Sequence, residues 1–371
     1  MKTRAAALFE VPGRWRVVEL ELDEPKQQEV LVRMVASGLC HSDEHAATGD
    51  MPVMSFPFVG GHEGAGVVEA VGPGVTSVKP GDHVVTRFIP SCGRCRPCTS
   101  GRMNLCDLGM LLLNGTMLDG TQRLHHGDQG VGTMCMLGTF SQYQVMSEYS
   151  LSPVREDIPL EVACLVACGV ATGFGSAQYA AEVKPGDTVI VMGIGGIGIN
   201  AVQGAARCGA AHVIAVDPVE FKREKALELG ADKAFAIMEE AADYARSVTN
   251  GQGADSAIVC VGVTTAEHLA AAYAAVAKGG TAVVTGIGNI GETAKDVNLW
   301  EMSMMQKRIQ GVLYGSGNPG NEIPKLLDLY MAGKLKLDEL VTRTYKLDEI
   351  NEAYQDMYDG RNIRGVILLD H

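Results

Sequence analysis

Three residues far apart in the chain, Cys40, His62 and Cys168, are of the types that bind a borderline-soft divalent metal. Cys40 sits in the run Gly38-Leu39-Cys40-His41-Ser42-Asp43-Glu44-His45, and His62 in Gly60-Gly61-His62-Glu63. A zinc site that keeps one position open for water or substrate takes three protein ligands. Cys40 and His62 supply two. Cys168, in Ala167-Cys168-Gly169-Val170-Ala171-Thr172-Gly173, is the best candidate for the third because it directly precedes the nucleotide-binding segment described below. Taken singly, each is an ordinary buried residue or turn histidine; the company they keep decides the reading. A denser signal is Cys92-Gly93-Arg94-Cys95-Arg96-Pro97-Cys98, followed by Cys106. Four thiols at this spacing can converge on one ion, and all-thiolate zinc sites are closed and structural. No second cysteine cluster accompanies them, which disfavours an iron–sulfur centre. A structural zinc lobe over about residues 91–107, remote from the chemistry, is expected.

A third constellation binds nucleotides. The apolar run Thr188 to Met192 reads as a strand and leads into Gly193-Ile194-Gly195-Gly196-Ile197-Gly198, which opens a helix from Ile199 to Cys208. A second strand, His212 to Val216, ends in Asp217, nineteen residues after Gly198. A Gly-x-Gly-x-x-Gly alone is weak evidence in a chain with 45 glycines. Between a strand and a helix, and answered by an acid at this distance, it is a dinucleotide fingerprint. The glycines admit the pyrophosphate, whose charge meets the helix N-terminus. Asp217 would accept from a ribose 2′-hydroxyl and repel a 2′-phosphate, which favours NAD over NADP.

These residues need two kinds of scaffold. Up to about Ser150, short β-prone runs (Arg16 to Leu20, Glu29 to Ala36, Gly66 to Val71, His83 to Phe88, Phe140 to Met146) alternate with Gly and Pro, as in a small barrel or sandwich. The pentapeptide Val-Lys-Pro-Gly-Asp occurs at Val78 to Asp82 and again at Val183 to Asp187, each time as a turn before an apolar run. Asp107 to Leu137 lacks a clear period and reads as a long loop, with His125 and His126 facing solvent. From about Val170 strands and helices alternate: helix Glu220 to Leu229, strand Ser256 to Cys260, helix Thr264 to Ala277, strands Thr281 to Thr285 and Arg308 to Leu313. That is a doubly wound parallel sheet. The fold class is therefore α/β plus β, with residues 1–169 and 314–371 forming the catalytic domain and 170–313 the nucleotide domain.

With 371 residues and 46% hydrophobic content, the chain can bury two cores. A net charge of −13 argues against nucleic-acid or anionic-membrane partners and fits a small-molecule substrate. The apolar run after Met1 is too short for a signal peptide, and no stretch is long enough to span a bilayer, so a cytoplasmic location is expected. Ten cysteines then read as metal ligands and free thiols rather than disulfides.

The chain as a whole resembles the zinc-dependent medium-chain alcohol dehydrogenases, in which a GroES-like catalytic domain accompanies a Rossmann domain. The likeness rests on Gly61-His62-Glu63-Gly64, the four-cysteine lobe, Gly138-Thr139-Phe140-Ser141-Gln142-Tyr143, Cys168-Gly169-Val170-Ala171-Thr172-Gly173 and the glycine loop. The two-cysteine, one-histidine ligand set is itself the known set of alcohol dehydrogenase. Within the family the chain looks most like the actinobacterial nicotinoproteins, which hold NAD(H) without releasing it and regenerate it with an external electron acceptor such as a nitroso dye. The resemblance implies two zinc ions per chain. Cys40, His62 and Cys168 would hold the catalytic one, with Glu63 as an alternate ligand and Asp43 orienting His62; Cys92, Cys95, Cys98 and Cys106 would hold the structural one. It further implies that Ser42 takes the substrate proton and passes it through the cofactor ribose to His45 at the surface. His41 would lie near the pyrophosphate, Phe88 and Phe140 would line an apolar alcohol pocket, and Thr172, Lys222 and Arg364 would contact the dinucleotide, Arg364 also pairing with Glu63. Relatives form dimers or tetramers, so a homo-oligomer is expected. Two neighbouring activities belong to the same scaffold: an alcohol dehydrogenase with dissociable NAD, and a thiol-adduct formaldehyde dehydrogenase that favours an S-hydroxymethyl thiol over a simple alcohol.

Overall fold

The structure, a computed structural model, describes residues 1–294 and 296–371. Backbone contacts divide it into two compact units, Met1–Cys168 with Asn318–His371, and Gly169–Gly317.

The first unit is built on the long strand Glu29–Gly38, which pairs antiparallel with Glu63–Val71, Tyr143–Ser147 and Arg364–Leu368. Leu151–Val154, His83–Thr86 and Val341–Lys346 complete a seven-stranded sheet. Lys2–Leu8, Arg16–Leu22, Leu124–His126, Gln129–Thr133 and Phe58–Val59 close a small barrel. Register places the chemistry. Gly38 lies opposite Glu63, so the chain leaving one strand toward Cys40 and the chain entering the other from His62 meet at the same sheet end. Val366 lies opposite Gly38, which brings Arg364 to that end from the far C-terminal segment. A core that includes Met34, Phe140, Met146 and Tyr354 packs behind it.

The second unit is a six-stranded parallel sheet in the order Lys233–Phe235, His212–Val216, Thr188–Met192, Ala254–Val259, Val276–Val284, Arg308–Gly311. Numbered along the chain this is 3-2-1-4-5-6, and the glycine loop follows the first strand at the point where the order reverses, where such sheets bind ligands. The central strands Thr188–Met192 and His212–Val216 are almost wholly buried and read as apolar runs, which is why they match their predicted bounds, whereas the edge strands Lys233–Phe235 and Arg308–Gly311 are largely exposed or half-buried.

Both Val-Lys-Pro-Gly-Asp segments form the same turn. Gly81 and Gly186 have φ of 91° and 97°, and the Asp82 and Asp187 carboxylates accept from Lys79 N and Lys184 N at 2.9 and 2.8 Å. The expected long loop over Asp107 to Leu137 is instead a 3-10 turn, Asp107–Leu111, followed by the hairpin Leu124–His126 and Gln129–Thr133. His125 is half-buried against Asp23, 3.0 Å away, whereas His126 is exposed as expected, with its ring edge-on to Phe9. The hairpin was hidden because its outer partner, Arg16–Leu22, is a hundred residues away and Gly and Met dominate the segment. Among the described residues, no single helix is long and apolar enough to cross a membrane.

Candidate active site

Cys40 is the N-cap of the helix His41–Thr48, which ends at Gly49 with φ of 93°. The helix sets Ser42 and His45 three residues apart on one face, next to the cysteine, and the Cys40 Sγ lies 3.6 Å from Ser42 Oγ. His62 precedes the strand Glu63–Val71. Its neighbour Gly61 has φ of 90°, and a Cβ there would fall 2.5 Å from Phe140 N, so the close approach of backbone to core requires glycine. Cys168 lies between the 3-10 turn Cys164–Ala167 and the helix Gly169–Gly175. One donor atom each of Cys40, His62, Glu63 and Cys168 lies within 4.8 Å of all the others, and all four residues are buried.

Buried donors of this kind share protons until something replaces them. The Cys168 thiol beside it, together with His62, holds the Cys40 sulfur well below its ordinary range despite burial, while Cys168 itself is pushed up. Burial opposes charge on His62, but Asp43 and the Cys40 thiolate outweigh it and raise the imidazole well above its ordinary value. Asp43 Oδ2 lies 3.1 Å from His62 Nδ1, and Asp43 Oδ1 accepts from Gly61 N at 2.7 Å. Burial pushes the Glu63 carboxyl up to about 7 although Arg364 pairs with it. The same guanidinium donates to Leu39 O at 3.1 Å.

The four lobe cysteines form a second cluster within 4.8 Å. Cys92 and Cys98 sulfurs are 4.0 Å apart, and those of Cys95 and Cys106 are 3.8 Å apart. A tetrahedron with Zn–S bonds of about 2.3 Å has edges of about 3.8 Å, so these spacings fit a zinc ion. Backbone N–H groups of Arg94 and Cys95 outweigh burial at Cys92 and bring its thiol down to about 7.

Residues 26–156 match the family model for the alcohol dehydrogenase GroES-like domain, and residues 196–332 that for zinc-binding dehydrogenases. An NDMA-dependent alcohol dehydrogenase of Amycolatopsis methanolica is 55% identical over 99% of each chain. A putative alcohol dehydrogenase D of Mycobacterium tuberculosis is 51% identical over 99% of this chain and 100% of its own. The chain belongs to the zinc-dependent medium-chain alcohol dehydrogenases. Benzyl alcohol dehydrogenase from Acinetobacter calcoaceticus, 31% identical, superposes with a TM-score of 0.92 and full coverage, 100% of both chains. The architecture is thus a GroES-like domain with its barrel and a Rossmann domain.

In this dehydrogenase the nucleotide loop divides into glycines the protein needs and one it does not. A Cβ on Gly193, whose φ is 87°, would fall 2.8 Å from Val261 N, and one on Gly198 would overlap Gly193 O. A Cβ on Gly195 would meet nothing within 4 Å. That open side fits a phosphate more than a packing requirement. Gly196 follows it in the same turn. Asp217 Oδ2 accepts from Ile194 N at 2.8 Å and Oδ1 from Val219 N at 2.9 Å, which ties the acid to the loop. Thr172 is buried in the helix Gly169–Gly175, and Lys222 is half-buried in Glu220–Glu228.

Two sequence expectations need correction. His45 is not at the surface: its side chain is 10% exposed, and the exposed group is its neighbour Asp50, at 42%. Phe140 belongs to the core, fully buried with its ring 5.7 Å from Trp15 and 6.4 Å from Tyr354, whereas half-buried Phe88 stands edge-on to His62 at 5.8 Å. The sequence reading also passed over Asp50, Tyr354, whose hydroxyl donates to Cys40 O at 3.4 Å, and Arg223, which donates to Asp217 O and Pro218 O at 2.8 Å each. Arg223 carries a sequence signal, a basic residue six after the fingerprint acid; Tyr354 carries none.

Proposed function

We propose that this enzyme oxidises alcohols to aldehydes or ketones, and runs the reverse, with a catalytic zinc at Cys40, His62 and Cys168, a structural zinc in the lobe, and an NAD(H) that stays with the protein and is recycled by an external acceptor. The buried cluster of two thiols, an imidazole and a carboxylate is the observation that carries this reading. The name of the NDMA-dependent relative supports the recycling. Residues 1–169 and 314–371 serve as the catalytic domain and 170–313 as the nucleotide domain; a homo-oligomer in the cytoplasm is part of the same reading.

When bound, zinc supplies the Lewis acidity that brings a hydroxyl pKa from about 16 toward about 7, and NAD supplies the hydride acceptor. The chain's own residues do the rest. Asp43 Oδ2, 3.1 Å from Nδ1 of His62, would favour a hydrogen on that nitrogen and leave Nε2 for a metal. Arg364 restrains the Glu63 carboxylate at the edge of the cluster, where it serves as an alternate ligand. Ser42 Oγ, next to Cys40, takes the substrate proton, and His45 receives it. Phe88 offers an apolar wall beside His62. In the nucleotide domain the N-terminus of Gly198–Cys208 would meet the pyrophosphate charge, Asp217 keeps lone pairs for a ribose 2′-hydroxyl, and Thr172 and Lys222 would add contacts from the same unit.

The test is the near-ultraviolet absorbance of extensively dialysed protein before and after a simple alcohol is added without NAD. A reduced-nicotinamide band that grows on addition supports the reading. Absence of any band, with turnover restored by added NAD, would make the enzyme one with dissociable cofactor.

A further inference from the structure

His45 has two ring nitrogens in different surroundings. Nε2 is buried and has no hydrogen-bond partner among the described residues. Nδ1 lies 3.3 Å from Asp50 Oδ2. The same carboxylate oxygen accepts from the Thr48 hydroxyl at 2.8 Å, so its position is fixed from a second side. The turn that allows this is set by Gly49, whose φ of 93° ends the helix and folds Asp50 back along it, with Gly49 N and Met51 N both donating to His45 O at 3.1 and 3.0 Å.

The other acids near His45 are committed elsewhere. Asp43 is engaged with Gly61 N and His62, and Glu44 accepts from the Tyr358 hydroxyl at 3.1 Å. His41, whose ring centroid is 6.5 Å from that of His45, is the nearby basic group. Asp50 is the carboxylate left for His45. Hydrogen bonds from Thr48 and His45 hold it below the usual carboxylate range, so it stays ionised.

We infer that Asp50 is a positioning residue for proton transfer: it holds His45 as the neutral tautomer protonated at Nδ1, leaving Nε2 bare as the base that receives the substrate proton. The chemistry allows one arrangement. An ionised carboxylate only accepts, so the nitrogen facing it carries the hydrogen, and a neutral imidazole has one N–H to give. When Nε2 gains the proton delivered from Ser42, the imidazolium is paired through Nδ1–H with Asp50; loss of that same Nε2 proton to water restores the Nδ1–H form and closes the cycle. No other group changes its proton count.

The inference rests on the proposed role of Ser42 and His45, but its first test is independent of turnover. Long-range 1H–15N correlation spectra of the 15N-histidine-labelled holoenzyme, with His45 assigned from a His45→Gln sample, report the tautomer directly. The expected result is a bare Nε2 in the unsubstituted protein, and a shift toward the Nε2–H form in Asp50→Ala. A protein whose His45 already carries its hydrogen on Nε2 overturns the inference without any variant. In turnover, Asp50→Ala should lower kcat about tenfold, less than the 10²–10⁴ that a general base supplies, with KM for the alcohol little changed. Added imidazole should restore part of the loss, and Asp50→Asn, whose carbonyl still accepts from Nδ1–H, should lose less. An Asp50→Ala enzyme with unchanged tautomer and unchanged kcat refutes it. If the expected tautomer is found in a protein that oxidises no alcohol, the functional reading fails and the positioning of His45 by Asp50 stands.

Discussion

Gly38 and Glu63 face each other across the central sheet, and the side chain that glycine lacks makes room for a buried ion pair. A Cβ at position 38 would fall against the Glu63 carboxylate and 2.9 Å from Arg364 Nη2. Gly38→Ala should therefore separate two buried charges, at a cost of about 3–5 kcal/mol if neither finds another partner. Urea unfolding of the zinc-loaded protein measures this, and an unchanged midpoint would show that the pair is dispensable to folding. At the nucleotide end, Asp217→Gly removes the anion that opposes a 2′-phosphate. The ratio of NADP to NAD dissociation constants should fall toward one; an unaltered ratio would assign selectivity to another residue, Arg223 being the nearest candidate. At this scale much of the site is legible in the sequence, because thiols, imidazoles and a glycine fingerprint declare their chemistry by type and spacing. Asp50 and Tyr354 are not legible. The first meets His45 only because Gly49 adopts a left-handed turn, and the second reaches Cys40 across more than three hundred residues of chain.

Among elements, the hairpin Leu124–His126 and Gln129–Thr133 is tied to the central strand by Arg123, a buried guanidinium that donates to Glu29 Oε1 and Oε2 at 2.6 and 2.8 Å and to Asp119 Oδ2 at 2.8 Å. Burial opposes ionisation of Asp119, but hydrogen bonds from Thr121 and Arg123 outweigh it and hold its carboxyl well below the usual range. A depressed carboxyl contributes stability above its unfolded value of about 3.9 and loses it as pH falls through the folded value. Asp119→Asn should accordingly lower the thermal midpoint at pH 7, and the gap should narrow only as pH drops below about 4. A gap independent of pH would mean that the amide fails for geometric reasons and charge is irrelevant. Elements differ in how readily sequence discloses them. The two central strands Thr188–Met192 and His212–Val216 are continuous apolar runs and keep their expected bounds, whereas Val276–Val284 begins inside the segment expected as the helix Thr264 to Ala277, and Lys233–Phe235 has no apolar run to announce it. Lys2–Leu8 is centred on three alanines with little β preference and becomes a strand only by pairing with Arg16–Leu22 and Phe58–Val59. Met238–Val248 is a helix whose buried face, Met238, Ala241, Ala242 and Ala245, is mostly alanine and so carries a weak apolar signal in the sequence.

For the whole molecule, the partition of residues between the two units has a chemical consequence. Cys40, His62, Glu63 and Cys168 all belong to Met1–Cys168, and the lobe cysteines lie in the same unit, whereas the glycine loop and Asp217 belong to Gly169–Gly317. The clustered donors thus lie in one unit and the glycine loop in the other, so on the proposed function loss of metal and loss of nucleotide should be separable. Cys40→Ser and His62→Ala should each abolish turnover and reduce bound zinc from two ions per chain to one, because the lobe's thiolates do not depend on the catalytic cluster. The nucleotide should stay, visible as its absorbance in dialysed protein. Gly195→Val, which fills the open side of the loop without touching other protein atoms within 4 Å at its Cβ, should do the reverse, with nucleotide lost and two zinc ions kept. Metal analysis and nucleotide absorbance on the same samples give both counts. Were His62→Ala to lose nucleotide while remaining folded, the metal cluster would be part of what retains the cofactor, and the two bound groups would have to be treated as one coupled site.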